Sequence, residues 1–195
     1  MSKPAPRAMN VDEFFAWQER QDGRYELVNG RPLQMMAGAW KVHDRIVINI
    51  IFALESRLRD GPCVPFTGDN AVETYPGQIR RPDVGVDCGK QDPEAFKADA
   101  PRVVFEVLSP STRDFDSVEK LAEYQAIEAL DYIVYVEPNR PEVRLWSRGE
   151  GRVWVASTER DLSATIDLPS LGISLPVAEI YARVAFPSGP MSRVE

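Results

Sequence analysis

The sequence predicts an α/β fold (α+β in type) in which one mixed β-sheet is flanked by helices. Apolar side chains recur every four residues between positions 39 and 59, which is typical of a helix with one buried face. Two apolar runs, at 102–109 (RVVFEVLS) and 131–138 (DYIVYVEP), are typical of buried strands. From residue 39 to 137 the predicted core order is helix, three strands, helix, strand, which implies a single mixed sheet.

The length of 195 residues fits one domain that buries enough apolar surface to fold without a disulfide or a metal. We place this domain at 10–186, between flexible tails at 1–9 and 187–195. The remaining elements follow from capping and turn signals. They are a helix at 10–20, a hairpin at 24–36, strands at 63–67, 70–75 and 79–88, a helix at 116–129, a hairpin at 141–157 and a terminal helix at 177–184.

The composition excludes several classes of protein. The formal net charge of −7 excludes a histone-like protein or a polybasic membrane binder. Cys63 and Cys88 form no CxxC motif, which favours two buried thiols in a reducing cytoplasm over a disulfide or a zinc site. The N-terminus lacks the apolar core of a signal peptide, so we expect a cytoplasmic protein.

Glu106 is the residue least suited to a purely structural role. It stands between Val104 and Leu108 on one face of an otherwise apolar strand, where an unpaired carboxylate is costly to bury. It could pair with an arginine, reach solvent at the strand end, or bind a metal ion. The sequence around it leaves these alternatives open.

Asp83 adds a second carboxylate. It follows Pro82, which interrupts strand pairing, and X-Pro-Asp is also an ordinary turn sequence. If its strand neighbours that of Glu106, the two carboxylates repel unless a proton or a divalent cation lies between them. Carboxylate oxygens suit Mg²⁺ or Mn²⁺, and Asp87 is an alternative ligand on the same strand.

Lys120 is the only lysine after Glu106. It lies in the first turn of the 116–129 helix, where it could orient a water or stabilise charge on a phosphate. It could equally be a solvated helix residue, or form an ion pair with Glu123 or Glu128.

These motifs resemble those of the Uma-type family of putative restriction endonucleases, within the PD-(D/E)XK nuclease superfamily. The resemblance covers about residues 10–185 and implies a restriction-endonuclease-like fold. It matches Asp83 to the PD aspartate and Glu106 to the acidic residue of (D/E)XK. The superfamily lysine would fall at Leu108, and the resemblance transfers its place to Lys120. The segments that carry it are YELVNGRP, RRPDVGVD, VVFEVLSPSTRDFD, EKLAEYQAI and DYIVYVEP.

Glu26 and His43 form a second tier of candidates. The resemblance implies that Glu26 lies near the site, although it could be a surface residue of its hairpin. His43 is the only histidine, so a Ser-His-Asp triad or a histidine metal cluster cannot be built without it. It could hydrogen-bond a metal ligand or a phosphate, or be a partly buried helix residue without a catalytic duty.

The predicted function is metal-dependent hydrolysis of phosphodiester bonds in nucleic acid, DNA by preference, with Mg²⁺ or Mn²⁺ held by Asp83 and Glu106. The resemblance also implies a homodimer, to which Trp146 and Trp154 could contribute an apolar patch, unless they cover the core. The alternative is an inactive nuclease-fold module that binds DNA or a protein, which Leu108 and the net acidity favour. The candidates for binding flanking phosphates are Arg80, Arg81, Arg102 and Arg113.

Overall fold

A computed structural model describes residues 7–35, 40–109 and 116–186. Residues 1–6 of the predicted tail at 1–9, the whole predicted tail at 187–195, and Arg113 lie outside the described residues. The helices are α1 (Val11–Gln18), α2 (Lys41–Leu58), α3 (Asp116–Gln125) and α4 (Val177–Ile180). The strands are β1 (Tyr25–Val28), β2 (Arg31–Gln34), β3 (Val64–Thr67), β4 (Val72–Glu73), β5 (Ile79–Arg80), β6 (Val84–Asp87), β7 (Pro101–Val107), β8 (Tyr132–Val136), β9 (Val143–Arg148), β10 (Trp154–Glu159), β11 (Thr165–Leu168) and β12 (Ile173–Pro176).

The central sheet has six strands in the order β10-β9-β8-β7-β6-β3. Among the described strands of this sheet, only β7 and β8 pair in parallel, so the sheet is mixed, as predicted. Apolar residues of α2, among them Ile50 and Leu54, pack on one face against Phe105 and its neighbours. On the other face, Tyr124 of α3 packs in one cluster with Val104. When β4 and β5 of the second sheet are set aside, the central elements follow the order α2, β3, β6, β7, α3, β8, which is the predicted helix, three strands, helix, strand.

The segment 79–88, predicted as one strand, is two strands in different sheets. Its first part, β5, belongs to a four-stranded sheet with the order β2-β1-β5-β4, and its second part, β6, belongs to the central sheet. Pro82 lies in the break between them and has no N–H for a sheet ladder. The break places Arg80 and Asp83 where the two sheets meet.

The N-terminal elements follow local rules. Asn10 and Glu13 form the predicted capping box of α1, each side chain bonding the other's backbone N–H. Asn29 and Gly30 turn the β1–β2 hairpin with φ of 51° and 72°, as an Asn-Gly turn requires.

The C-terminal elements depart from prediction. A segment predicted as a loop forms the two-stranded sheet of β11 and β12, which buries Ile166, Leu168 and Leu175. The terminal helix α4 ends at Ile180, earlier than predicted.

The prediction of two thiols was wrong, because Cys63 and Cys88 form a disulfide. They stand beside Val64 and Asp87, which are partners in the antiparallel β3–β6 pair, so the two Cα atoms lie 4.1 Å apart.

Trp146 and Trp154 pack against the apolar cluster on the α3 face. The Trp154 indole N–H also donates to the carbonyl of Gln125, at 3.1 Å. These tryptophans therefore cover the core, the second of the two roles considered for them.

No helix among the described residues is long and apolar enough to cross a membrane.

Candidate active site

Asp83 and Glu106 lie side by side on neighbouring strands. Val84 of β6 pairs with Phe105 of β7, and Asp83 and Glu106 are the next residues outward along that ladder. The backbone N–H of Val107 donates to Oδ2 of Asp83 at 2.7 Å. The sheet register therefore brings together the two carboxylates that the sequence singled out.

The Glu106 carboxylate is largely buried, with 12% of its side chain exposed. The Tyr124 hydroxyl donates to Oε1 at 2.7 Å, and the Lys120 ammonium lies 3.5 Å from the same oxygen. Burial raises the pKa of Glu106 to about 7; the Lys120 charge opposes the rise, and the Asp83 charge adds to it. Burial, with Glu106 nearby, also raises the pKa of Tyr124, so its hydroxyl remains a donor.

Lys120 is held between two carboxylates. Its Nζ lies 3.2 Å from Oε1 of Glu26 and 3.5 Å from Oε1 of Glu106. Its side chain is only 12% exposed, which excludes the solvated-helix interpretation. Position 120 is one turn before Tyr124 on α3, so the helix presents both polar groups to Glu106.

Glu26 is fixed by a buried arginine. The Arg80 side chain is 1% exposed; it donates from Nη1 to Oε2 of Glu26 at 2.9 Å and from Nη2 to Oε1 of Glu123 at 2.6 Å. Burial alone would raise the pKa of Glu26, but the Lys120 and Arg80 charges lower it below its ordinary value. The Thr74 hydroxyl also donates to Glu123, at 2.8 Å. This network anchors the carboxylate that faces Lys120.

His43 reaches the site from α2. Its Nε2 lies 3.2 Å from Oδ2 of Asp83. Burial alone would lower the pKa of His43, but the hydrogen bond to Asp83 and the charges of Asp83, Glu106 and Asp44 raise it above its ordinary value. His43 and Glu26 therefore both lie at the site, His43 beside Asp83 and Glu26 beside the Lys120 that contacts Glu106.

Arg80 and Arg81, which were predicted to bind phosphate, are buried and hydrogen-bonded inside the protein. Arg80 is paired with Glu26 and Glu123. Arg81 is 6% exposed and donates to the carbonyls of Tyr25, Gly68 and Asp69. Neither guanidinium faces solvent, because buried acceptors hold both. Arg102 pairs with Asp131 at 3.3 Å, and it lies four residues before Glu106, about 13 Å along the strand.

Asp87, the alternative ligand, caps a loop at the far end of β6. Its carboxylate accepts the backbone N–H groups of Gly89, Asp99 and Ala100 at 2.8–3.0 Å. These bonds fix it away from Asp83.

The model of the family described as "Uma2: Putative restriction endonuclease" matches residues 11–178. The chain belongs to the Uma2 family. An uncharacterized protein of Synechocystis, slr1290, is 28% identical over 187 residues that cover 95% of this chain and 97% of its own.

A solved structure shares the fold of this Uma2 protein. It is a "putative nuclease belonging to DUF820" from Anabaena variabilis, which superposes with a TM-score of 0.72 at 14% identity. The match covers 91% of this chain and 99% of the other. The family resemblance and the restriction-endonuclease-like fold expected from the sequence are confirmed.

The side chains of this Uma2 site offer hard oxygen donors. Within the described ranges no group of three or more His, Cys, Asp or Glu side chains is arranged to hold a metal. Mg²⁺, however, is commonly bound by one or two carboxylates while water and phosphate complete its shell. The raised pKa of Glu106 reflects a negative charge that its surroundings do not fully compensate. Asp83 and Glu106 therefore fit a divalent cation.

Sequence reasoning missed Tyr124, and it missed the buried pairing of Arg80 with Glu26 and Glu123. A signal for the tyrosine was present, because Lys120 and Tyr124 are four residues apart and share one helix face. The role of Arg80 had no local signal, since its partners Glu26 and Glu123 are 54 and 43 residues distant.

Proposed function

We propose that this protein is a metal-dependent endonuclease that hydrolyses phosphodiester bonds in DNA. The observation that carries the proposal is the convergence of Asp83, just before β6, with Glu106 of β7 and Lys120 of α3. A carboxylate pair can hold a divalent cation that activates a water and neutralises charge on a phosphate, and a lysine beside it can stabilise the charge that develops.

Asp83 and Glu106 would hold the metal. When bound, the cation would lower the pKa of a coordinated water and neutralise charge on the scissile phosphate. Val107 N–H and His43 orient Asp83, and the Tyr124 hydroxyl orients Glu106. Lys120 would position the attacking water or stabilise charge that develops on the phosphate.

The position of Lys120 supports an enzyme over an inactive module. Leu108, which occupies the usual lysine position, is 5% exposed and packs in the cluster on the α3 face. A lysine there would bury its charge in apolar surroundings, whereas Lys120 brings an ammonium to Glu106 from the neighbouring helix.

The net charge of −7 bears on how the substrate would bind. Because the site itself is acidic, we expect DNA binding to be weak without a divalent metal and to strengthen when Mg²⁺ is added. Tight binding in the absence of metal would contradict this account of the site.

We also infer a homodimer, because cutting both strands of a duplex takes two active sites or two successive events. Sedimentation velocity would test it. A monomer at all concentrations would limit the protein to nicking or to sequential cuts.

The test is nicking of supercoiled plasmid with and without Mg²⁺. We expect Asp83→Asn and Glu106→Gln to abolish it and Lys120→Met to lower the rate at least about 100-fold, in the range set by loss of one charge-stabilising donor. Glu179→Gln is the matched control, since Glu179 pairs with Arg57 on the surface. Nicking retained by both carboxylate variants would overturn the proposal. A wild-type protein that binds DNA but never nicks it would favour the inactive module.

A further inference from the structure

Three arginines surround one buried glutamate at the carboxyl end of β8. Glu142 is 5% exposed, and it accepts from Nε of Arg140 at 3.2 Å, of Arg144 at 3.0 Å and of Arg160 at 2.9 Å. We call this group the arginine cluster. Glu137 lies 3.6 Å from Arg140 and 3.7 Å from Arg144, so three cations face two carboxylates among the residues that the structure describes.

The cluster lies on the same face of the sheet as the candidate site. Glu106 pairs with Tyr135 in the next strand, and Tyr135 pairs with Arg144 in the strand after that. Residues directly opposite each other in a sheet point to the same side, so Glu106 and Arg144 share one cross-strand row. With strands about 4.8 Å apart, their Cα atoms are separated by about 10 Å.

The guanidinium groups are accessible and held in place. The side chains of Arg140, Arg144 and Arg160 are 50%, 40% and 69% exposed. Hydrogen bonds from Arg140, against the effect of burial and with help from the other two arginines, lower the pKa of Glu142 to about 2. Glu142 therefore stays ionised and fixes three guanidiniums. The Arg160 contact uses only Nε of a group that carries five N–H donors.

We propose that the arginine cluster binds the phosphate backbone of the nucleic acid, beside the phosphate that is cut. This inference rests on the proposed function and names a substrate-binding surface for it. A site about 10 Å from Glu106 is close enough for one DNA strand to contact both the cluster and the candidate site. Arginines fixed in advance lose little side-chain entropy when they bind a phosphate.

The other end of the same hairpin provides a contrast. Arg148 donates to the backbone carbonyls of Gln125, Ile127 and Glu128, and Arg152 donates to that of Glu128. Those arginines complete the last turn of α3 and the loop after it. A charge removed at Arg152 is thus a matched control, from the same hairpin but the opposite end.

The test measures the affinity of a fluorescein-labelled 20-base-pair DNA duplex at several salt concentrations, with Ca²⁺ in place of Mg²⁺ to prevent cutting. We expect Arg144→Gln/Arg160→Gln to weaken binding about tenfold and to reduce the salt-dependence slope by about two phosphates. Arg160→Gln alone, at the most exposed position, should reduce the salt-dependence slope by about one phosphate, and Arg152→Gln should leave the slope unchanged. With Mg²⁺, the double variant should raise KM and leave kcat within about twofold.

Unchanged affinity and salt slope in folded Arg144→Gln/Arg160→Gln would overturn the inference, and if that variant does not fold, an unchanged slope in Arg160→Gln would do so. If the wild type cleaves DNA but the salt-dependence slope is the same in the arginine variants, the proposed function is retained and the arginine surface is rejected. Arginine-dependent binding without any cleavage would retain the surface and reject the nuclease.

Discussion

The Nζ of Lys120 lies 3.5 Å from Oε1 of Glu106, so α3 brings a cation to a largely buried carboxylate. The pair is not balanced, because burial and the charge of Asp83 outweigh the lysine and keep the pKa of Glu106 at about 7. The site therefore holds a carboxylate whose ionisation opposes folding in the absence of a metal. That imbalance leads to a stability prediction.

In the metal-free protein, the stability of Glu106→Gln relative to wild type should be greater at alkaline pH than at acid pH. The folded-state pKa of Glu106 is raised from 4.5 to about 7, so the folded protein binds this proton more tightly than the unfolded chain. The bound proton contributes on the order of 3 kcal/mol to the free energy of unfolding of the wild type. This contribution is fully present below pH 4.5 and is lost as the pH rises through 7.

Urea unfolding of wild type and Glu106→Gln at pH 5.0 and pH 8.5, with EDTA, measures this. The variant should gain stability relative to wild type between the two pH values. An equal difference at both pH values would mean that Glu106 is ionised throughout.

His43 should titrate above its ordinary pKa of 6.5, since its bond to Asp83 outweighs burial. Because it is the only histidine, its imidazole protons give one assignable NMR titration. This raised pKa adds stability that is fully present below pH 6.5 and is lost as the pH rises through the folded value. Asp83→Asn should lower the pKa, and Mg²⁺ should lower it in the wild type by competing for Asp83. A pKa at or below 6.5 in the wild type would refute the His43–Asp83 pair.

Arg80→Met should destabilise the protein by about 3–5 kcal/mol, because it leaves Glu26 and Glu123 buried without their cation. Arg57→Met is the control, since it breaks a partly exposed pair with Glu179 and should cost about 1 kcal/mol or less. Both values come from urea unfolding at pH 7. Equal losses in the two variants would show that Arg80 is not the anchor of the network.

Reduction of the Cys63–Cys88 disulfide should lower stability by about 3 kcal/mol, since the bond closes a loop of 25 residues. Wild type with and without dithiothreitol should differ by this amount. Cys63→Ser/Cys88→Ser should match the reduced protein and show no response to dithiothreitol. Free thiols in the untreated protein, detected by mass spectrometry after alkylation, would contradict the disulfide.

Local patterns in the sequence were sufficient to predict much of this fold. The four-residue stripe of α2 and the apolar run of β7 reflect periods that each element imposes on its own residues. From the sequence, Asp83 and Glu106 could be predicted to lie close together only if their strands were neighbours. The β6–β7 register satisfies that condition.

The features that sequence reasoning missed depend on distant partners. Nothing within 79–88 tells which of two sheets each half joins. The arginines beside the PD motif were natural phosphate candidates by proximity, yet Arg80 is drawn inward by Glu26 and Glu123. The disulfide depends on the β3–β6 register, which brings together Cys63 and Cys88 although they are 25 residues apart.

The central claim is that Asp83 and Glu106 form one divalent-cation site, and calorimetric titration of the protein with Mg²⁺ at pH 8 tests it most directly. We predict saturable binding that is lost in Asp83→Asn and in Glu106→Gln and retained in Asp87→Asn, whose carboxylate caps a loop at the other end of β6. Mg²⁺ binding of equal affinity in the wild type and in both site variants, or no binding at all in the wild type, would contradict it.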